Sequence, residues 1–367
     1  MTVELRFGGQ LWTGFTSATI KRSVNSLCGS FSLSLGEEGA ALIAPPGTPC
    51  TVSDDGEVLI TGYVDGMETD TDGDSASVSV TGRSAPADIV DSQLDARKVW
   101  ASQRAIDIIR DIAALHSLTV SVDSAAVAAS VQAMPRIVGR PGDQLTEILE
   151  RVCRTARLIL TDDNDGNLRV YLSGSIRSSV NLELGQNLIR SSCGFDGSQL
   201  ASRYVVRGQT GQLGADDVET WGVQGAEYAD DLGLRSRVQV ITPPQGMRRA
   251  DAKRYAEWYA ATQAARAVTA TGSVVGWRES GFTGALWQPG ALVRYVDSFA
   301  GLDAEMVIQS VEYRLDDGGQ VSTLTCQPQT GFEPQRTKRT NPTAGSKRWA
   351  DVEKYAASIP PREVSSD

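Results

Sequence analysis

The sequence of 367 residues predicts an α+β protein that is mainly antiparallel β, with two similar small β-barrels and an inserted α+β module. Three observations predict this class. Short alternating segments bounded by turn residues fill both ends of the chain. Two helical segments, each followed by a strand, lie between them. A three-strand pattern near the N-terminus returns near the C-terminus.

The first β-barrel is predicted over residues 1–92. Residues 30–35 (SFSLSL) and 75–80 (SASVSV) alternate small polar with apolar side chains, which is the period of a half-buried strand. Turn sequences separate the strands, PPGTP at 45–49 and DDG at 54–56 among them. Short strands separated by frequent turns are typical of a small barrel or sandwich.

Residues 93–178 are predicted to form the α+β module. Ile106, Ile109 and Ile112 recur at helical spacing, and Ser102 is the predicted N-cap of their helix. The stretch GDQLTEILERVCRTARL repeats the helical pattern. LILTDDNDGNLRVYL then predicts a hairpin around an Asp-Gly turn.

The second β-barrel is predicted over residues 179–332. It contains a long loop at 209–233, rich in Gly and Asp, and a helix at 248–269 that has neither Gly nor Pro. Residues 333–367 are polar and contain Pro, so an extended tail is expected there.

An internal repeat links residues 46–82 with 289–326. Each stretch begins with Pro-Gly and continues through three strand patterns with an acidic Gly turn before the last. Antiparallel meanders share much of this pattern, so the repeat alone leaves open whether the stretches are two copies of one barrel. If they are, three chains would form a ring of six modules, which suits a symmetry adaptor between sixfold and threefold partners.

Composition excludes several function classes. The formal net charge is −10, which argues against sequence-independent nucleic-acid binding as the main function. Cysteines stand at 28, 50, 153, 193 and 326 without a CxxC pair, and His116 is the single histidine, so a structural zinc site is nearly excluded. The cysteines are interpreted as small buried apolar residues in a reducing compartment. No apolar run is long enough to predict membrane insertion or Sec export.

No catalytic residue, cofactor or metal is predicted. TDDNDGNL at 161–168 resembles a calcium loop, but Gly166 falls on position five and no Glu follows at position twelve, so the hairpin explains it better. His116 ends a helix, where it favours the dipole. The sequence lacks G-x-S-x-G and Gly-rich phosphate-loop motifs.

The stretch LWTGFTSATIKRSVNSLCGSFSLSL resembles the N-terminus of the baseplate central hub proteins of Mu-like contractile-tailed phages. The likeness continues in order through ITGYVDG, TGRSAPADIVDS, LELGQNLI, SRYVVRGQ, ADAKRYAEWYAATQAAR, GALWQPGALV and QPQTGF, from residue 3 to 332. This family is similar to the T4 tail hub and to the hub part of type VI secretion spikes. Its matched positions are treated as structural: Trp12, Gly14, Phe15, Gly62, Tyr63, Gly82, Arg83, Trp287, Pro289, Gly331 and Phe332.

The resemblance implies a homotrimer whose two barrels per chain form a pseudo-sixfold ring. The ring would join the tail tube or distal tail proteins above to a trimeric membrane-piercing spike protein below, with baseplate wedge and tape-measure proteins as further partners. It implies a virion protein of the tail baseplate, assembled in the host cytoplasm, and no enzyme. DNA would pass through the ring without specific binding, and an acidic lumen would repel its phosphates.

Three alternatives stay open at the level of sequence. A cell-wall-degrading enzyme of the tail tip predicts lysis by the purified chain. A carbohydrate-binding tail protein predicts exposed Trp side chains on a sandwich face and glycan binding by the monomer. A distal-tail or tube-closing protein predicts a true hexamer in place of a trimer.

Overall fold

The computed structural model describes residues 3–36, 44–72, 76–134, 136–156, 158–208, 223–224, 228–229, 236–241 and 249–332. Within these ranges strands outnumber helices and most strand pairs are antiparallel, which confirms the predicted mainly antiparallel α+β class. The tail predicted at 333–367 lies outside the described residues, as does most of the loop predicted at 209–233.

The strands are β1 (Val3–Phe7), β2 (Gln10–Trp12), β3 (Ser17–Ser23), β4 (Ser30–Leu35), β5 (Pro49–Asp54), β6 (Glu57–Thr71), β7 (Ala76–Ser84), β8 (Lys98–Trp100), β9 (Val120–Val122), β10 (Ile137–Gly139), β11 (Ile159–Asp162), β12 (Leu168–Tyr171), β13 (Leu182–Glu183), β14 (Leu188–Phe195), β15 (Arg203–Gly208), β16 (Val223–Gln224), β17 (Tyr228–Ala229), β18 (Val238–Ile241), β19 (Val268–Val275), β20 (Arg278–Ser280), β21 (Thr283–Leu286), β22 (Leu292–Asp297), β23 (Leu302–Asp316) and β24 (Gly319–Pro328). The α-helices are α1 (Ala87–Val90), α2 (Ala105–Ala113), α3 (Ser124–Ala129), α4 (Leu145–Ala156) and α5 (Arg249–Arg266).

The chain divides into two compact units that do not follow its sequence order. The first unit comprises the described parts of 1–190, 271–293 and 307–326, and the second those of 191–270, 294–306 and 327–367. Strands β14, β19, β22, β23 and β24 contribute residues to both units.

The first unit contains a long antiparallel ladder in the order β23-β3-β4-β7-β6-β5-β1-β2. The alternation predicted for residues 30–35 is confirmed, because Phe31, Leu33 and Leu35 of β4 are buried and the serines between them are more exposed. The order also joins distant parts of the chain, since Ser310–Leu315 of β23 pairs with Ala18–Ser23 of β3.

The predicted helical module is present in the first unit. The apolar faces of α2 and α4 share one core, which includes Ile109, Ile112, Ile148 and Val152. The predicted N-cap is wrong: α2 begins at Ala105 after Arg104, and Ser102 adopts a left-handed φ of 57°. Ser102 therefore stands two positions before Arg104, the residue that occupies the N-cap, and lies outside the capping position.

The predicted hairpin is formed by β11 and β12, with β9 pairing in parallel to β12. Its turn leads through Gly166 at a φ of 80°, a conformation that favours glycine. A Cβ at Gly166 would also lie 2.6 Å from the carbonyl oxygen of Thr61, so the turn packs closely against β6.

A buried polar network fastens this turn to the N-terminal strands. The Arg22 Nη2 donates to the Asp162 main-chain oxygen (2.6 Å) and pairs with its Oδ1 (3.2 Å), and Nη1 donates to Asn164 Oδ1. The other Asp162 oxygen accepts from the Gly29 N–H at 3.0 Å, and the Asn164 amide donates to the Val58 carbonyl at 2.9 Å. Because the Arg22 and Asp162 side chains are only 9% and 2% exposed, these bonds replace the water that both charges have lost.

In the second unit, β15 pairs in parallel with β18 and antiparallel with β16 and β17. Tyr204 and Val206 of β15 pack on Ala260 and Ala256 of α5. This is the helix that the sequence places at 248–269.

The two repeated stretches have matching strands. β5, β6 and β7 contain 6, 15 and 9 residues, and β22, β23 and β24 contain 6, 15 and 10. The Gly47 N–H donates to the Val64 carbonyl at 2.7 Å, and the Gly290 N–H donates to the Ile308 carbonyl at 2.7 Å. Both glycines have left-handed φ values, 83° and 87°. Val64 and Ile308 therefore occupy corresponding positions.

Removing one partner of the buried network is expected to destabilise the chain strongly. Asp162→Ala should lower the free energy of unfolding by about 3–5 kcal/mol, because it leaves the Arg22 guanidinium buried without its carboxylate. The control is Asp107→Ala, which removes an exposed partner of Arg104 and should cost about 1 kcal/mol or less. Urea unfolding followed by circular dichroism measures both, and equal losses would contradict the assigned role of the network.

Candidate functional site

Four of the predicted structural positions meet on strands β6 and β7. Tyr63 lies opposite Arg83, and Val64 lies opposite Gly82. The register shifts between Val64 and Gly66, so the strand pair contains a bulge here. A bulge bends a strand and increases its twist, which brings the two backbones close together at this point.

Two glycines allow this close approach. A Cβ at Gly62 would lie 2.6 Å from the Ser84 Cα, and it would also overlap the Arg83 carbonyl oxygen. A Cβ at Gly82 would lie 2.6 Å from the Phe31 Cε1 atom. Both glycines are therefore required by packing and not by ligand chemistry.

The Arg83 side chain on β7 forms ion pairs with two carboxylates. Its Nε and Nη2 donate to Asp65 at 2.6 and 3.3 Å, and Nη1 and Nη2 donate to Asp91 at 3.1 and 2.6 Å. The hydrogen bonds from Arg83 lower the pKa of the Asp91 carboxyl below its ordinary value. A shallow groove beside the pair is lined by Pro46, Gly47, Tyr63, Val64, Asp65, Arg83, Ala87, Asp88 and Asp91. Because these ion pairs face solvent, they orient the strands more than they stabilise them.

Trp287 and Pro289 form a second, separate group. Trp287 is buried, and its main-chain oxygen accepts a hydrogen bond from the Tyr313 hydroxyl. The Tyr171 hydroxyl donates to the Pro289 carbonyl at 3.4 Å. A Cβ at Gly290 would lie 2.7 Å from the Tyr171 Cζ atom and nearer still to Cε2, so the Pro-Gly turn sits directly on this tyrosine.

The other predicted positions lie at the two ends of the described chain. Trp12 stacks on Phe7 with ring centroids 6.4 Å apart, Gly14 has a φ of 81°, and Phe15 is buried. In the second unit, Gly331 approaches the methyl group of Ala265, and the Phe332 N–H donates to Gln329 at 2.9 Å. The structure thus distributes the eleven positions over separate packing sites and does not assemble them into one pocket.

Sequence reasoning assigned no role to Arg22, a buried charged residue of β3. A signal was present: Asp162 and Asn164 stood out as calcium-like ligands because they are oxygen-bearing side chains in a turn. In the structure both bind the Arg22 guanidinium instead. Across the described residues, no group of three or more His, Cys, Asp and Glu side chains is placed to hold a metal ion.

The cysteines occupy two kinds of environment. Cys50, Cys153 and Cys326 are buried, whereas Cys28 and Cys193 are half-buried, and all five are free thiols. Burial raises the pKa of the Cys50 and Cys153 thiols to about 12, aided by the nearby charges of Asp65 and Glu150.

None of the described helices is long and apolar enough to cross a membrane.

Comparison with known proteins finds three domain models of phage baseplate proteins, each matching a separate part of the chain. Residues 2–84 match the N-terminal domain of Mu phage baseplate assembly protein GpP-like proteins, and residues 86–171 match the second domain of baseplate hub protein gp44-like proteins. Residues 248–335 match the fourth domain of Mu phage baseplate assembly protein GpP.

Individual relatives agree with these domain matches. The chain is 27% identical over 355 residues to baseplate hub protein gp44 of Escherichia phage Mu, covering 94% of this chain and 92% of that protein. Its fold matches the 43 kDa tail protein of prophage MuSo2 from Shewanella oneidensis with a TM-score of 0.78 and 26% identity, over 91% of this chain and all of that one. The E. coli c3393 protein, a type VI secretion component described as structurally similar to T4 tail proteins gp27 and gp5, shares the fold with a TM-score of 0.57 at 12% identity, over 91% of this chain and 79% of that one.

Gly82, where the paired strands β6 and β7 approach closely, provides a stability test. Gly82→Ala should lower the free energy of unfolding by about 2–3 kcal/mol, because the new methyl group overlaps Phe31 and the Tyr63 carbonyl. Gly36→Ala is the matched control and should change the stability little, since a Cβ at Gly36 would meet only the Thr16 methyl group, at 4.0 Å. Thermal or urea unfolding of both variants gives the comparison, and equal stabilities would show that the close approach of β6 and β7 tolerates a side chain at this position.

Thiol labelling tests the two cysteine environments. At pH 8 in the native protein, Cys28 should react with an aromatic disulfide reagent well before Cys50, Cys153 and Cys326, because burial blocks access and disfavours the thiolate. All five should react in urea. Mass spectrometry of the labelled peptides identifies the sites, and fast native labelling of Cys153 would contradict its buried position.

Proposed function

The chain belongs to the baseplate hub proteins of Mu-like contractile-tailed phages, which are structural virion proteins and not enzymes, and we propose that it acts as the trimeric hub of the baseplate. In this proposal three copies form a ring around the DNA channel. One face of the ring meets the sixfold tail tube or distal tail proteins, and the other meets the threefold membrane-piercing spike.

The observation that carries the proposal is the repeated strand geometry within one chain. The Gly47–Val64 and Gly290–Ile308 hydrogen bonds match in donor, acceptor and length, and the strands that follow match in number and extent. Two similar β-barrels per chain would give a trimer six modules, so that a threefold assembly could face a sixfold one.

We further propose that the chain is organised as residues 1–92, 93–178, 179–332 and a tail at 333–367. The family matches at 2–84 and 86–171 support a division between the first two parts, since one match ends at 84 and the next begins at 86. The match at 248–335 supports a separate C-terminal module that contains α5 and the second copy of the repeat.

Three of the described tryptophans argue against the carbohydrate-binding alternative. Trp100, Trp277 and Trp287 are each 1% exposed, so none of the three offers a ring face to a sugar. The Trp277 Nε1 donates to the Arg314 carbonyl at 3.1 Å, as expected for a core residue.

The mass of the protein in solution tests the proposal. Sedimentation equilibrium of the hub protein alone should give three times the chain mass of 39.2 kDa. In a mixture with the spike protein, the complex should contain three hub chains. A true hexamer would favour a distal-tail or tube-closing protein, and a monomer under both conditions would overturn the trimeric hub.

Purified chain should not lyse cell walls, and a lysing spike protein serves as the positive control.

A further inference from the structure

We propose that the trimer closes by β-sheet pairing between copies: β14 of one chain pairs antiparallel with Gly66–Thr71 of β6 in the next. This inference rests on the proposed trimer and names its interface. The partner on each seam is a second copy of this chain.

A pairing within the chain provides the template. The 15-residue strand β23 pairs with β22, and its segment Ser310–Leu315 pairs with β3. β3 is also paired to β4. The free edge of β23, the long strand of the C-terminal repeat, is therefore paired by β3 of the N-terminal module.

The corresponding long strand of the N-terminal repeat lacks such a completion among the described residues. β6 also has 15 residues, and β5 pairs with it only as far as Tyr63. From Gly66 to Thr71 the described ladder contains β7 alone. The second edge of this segment leaves backbone groups available to another strand.

The alignment of the repeats shows what the missing strand would cover. Because Val64 corresponds to Ile308, Met67 and Thr69 correspond to Val311 and Tyr313. Val311 and Tyr313 are 0% and 2% exposed, whereas Met67 is 36% exposed and Thr69 is also exposed. The same strand position is thus buried in one repeat and open in the other.

Strand β14 is the counterpart of β3. β14 pairs with β19 as β3 pairs with β4, and it stands at the end of the described sheet order. Its side chains Ile189 and Phe195 are 59% and 55% exposed. A sheet edge with exposed apolar side chains is a surface that proteins normally cover.

The register of the proposed pairing follows from the matched ladders. In the first repeat Lys21, Ser30 and Arg83 lie side by side on β3, β4 and β7. Val64 and Ile308 are 244 positions apart, and so are Arg83 and Gln327. Gln327 of β24 therefore corresponds to Arg83 of β7.

Gln327 Nε2 donates to Thr269 Oγ1 at 3.3 Å, and a Cβ at Gly194 would lie 4.0 Å from the Thr269 carbonyl oxygen. Thr269 thus lies beside Gln327 as Ser30 lies beside Arg83, and Gly194 lies beside Thr269 as Lys21 lies beside Ser30. Gly194 of β14 therefore corresponds to Lys21 of β3.

Lys21 lies opposite Glu312, whose counterpart in the first repeat is Glu68. Gly194 of one copy should therefore lie opposite Glu68 of the next. This register places Cys193 opposite Thr69 and Phe195 opposite Met67. The two exposed apolar side chains then cover each other, which argues for a second copy as the occupant.

Disulfide trapping tests the pairing and its register. In a Cys28→Ser background, Thr69→Cys should form a disulfide with the native Cys193 of the next copy on mild oxidation. Bands of two and three linked chains should appear on a non-reducing gel, with none larger, because three links close the ring. Cys193→Ser in the same background should abolish them.

Glu68→Cys is the matched control, since its side chain projects from the other face of β6 and lies opposite Gly194. The linked fraction of Thr69→Cys should exceed that of Glu68→Cys by on the order of tenfold, because directly opposite residues bring their Cβ atoms closer together than diagonal neighbours do. Equal linkage in a protein that is trimeric would overturn the proposed strand pairing and leave the trimer itself intact.

A charge at the seam gives a second readout that does not depend on oxidation. Met67→Asp should weaken trimer association at least about tenfold, because it places an unpaired carboxylate against Phe195. The melting curve of the dissociated chain should be unchanged, since Met67 is partly exposed there. Leu115→Asp, at a residue 52% exposed on the helical module, should leave association unchanged.

The outcomes separate the two proposals. A wild-type protein that is monomeric alone and with the spike protein overturns the trimeric hub. A wild-type trimer that keeps its association constant in Met67→Asp, and that fails to link through Thr69→Cys, overturns only the β14–β6 seam.

Discussion

Strand β3 is the constraint on which the first unit depends, because it is held from three directions at once. Its backbone pairs with β4 on one edge and with β23 on the other. From its end, the Arg22 side chain reaches the turn of the β11–β12 hairpin and binds Asp162 and Asn164. A buried guanidinium is tolerated only when its donors are satisfied, so the position of the hairpin is fixed by the position of the strand.

Three glycines of the described chain are explained by packing. Gly62 and Gly82 let the paired strands β6 and β7 approach each other closely, and the Pro-Gly turn at Gly290 rests on the Tyr171 ring. Each of these positions constrains backbone approach, which a side chain larger than hydrogen would prevent.

Local patterns in the sequence predict the local structure well. The alternation in SFSLSL gives β4 with its buried face, and the helical spacing of Ile106, Ile109 and Ile112 gives the buried face of α2. Boundaries were less accurate, as the start of α2 at Ala105 shows, because backbone conformation outside the helix decides which residue can cap it.

Long-range partners could not be predicted in the same way. Arg22 and Asp162 are separated by 140 positions, and no periodicity in either segment identifies the other. The two seams of the proposed ring also differ in chemistry. Lys21 and Glu312 form an ion pair at 3.1 Å within the chain, whereas Gly194 offers no cation to Glu68 in the seam between copies. The covalent chain holds the first seam together, so the second must derive its stability from its backbone ladder and from the apolar contact of Met67 with Phe195.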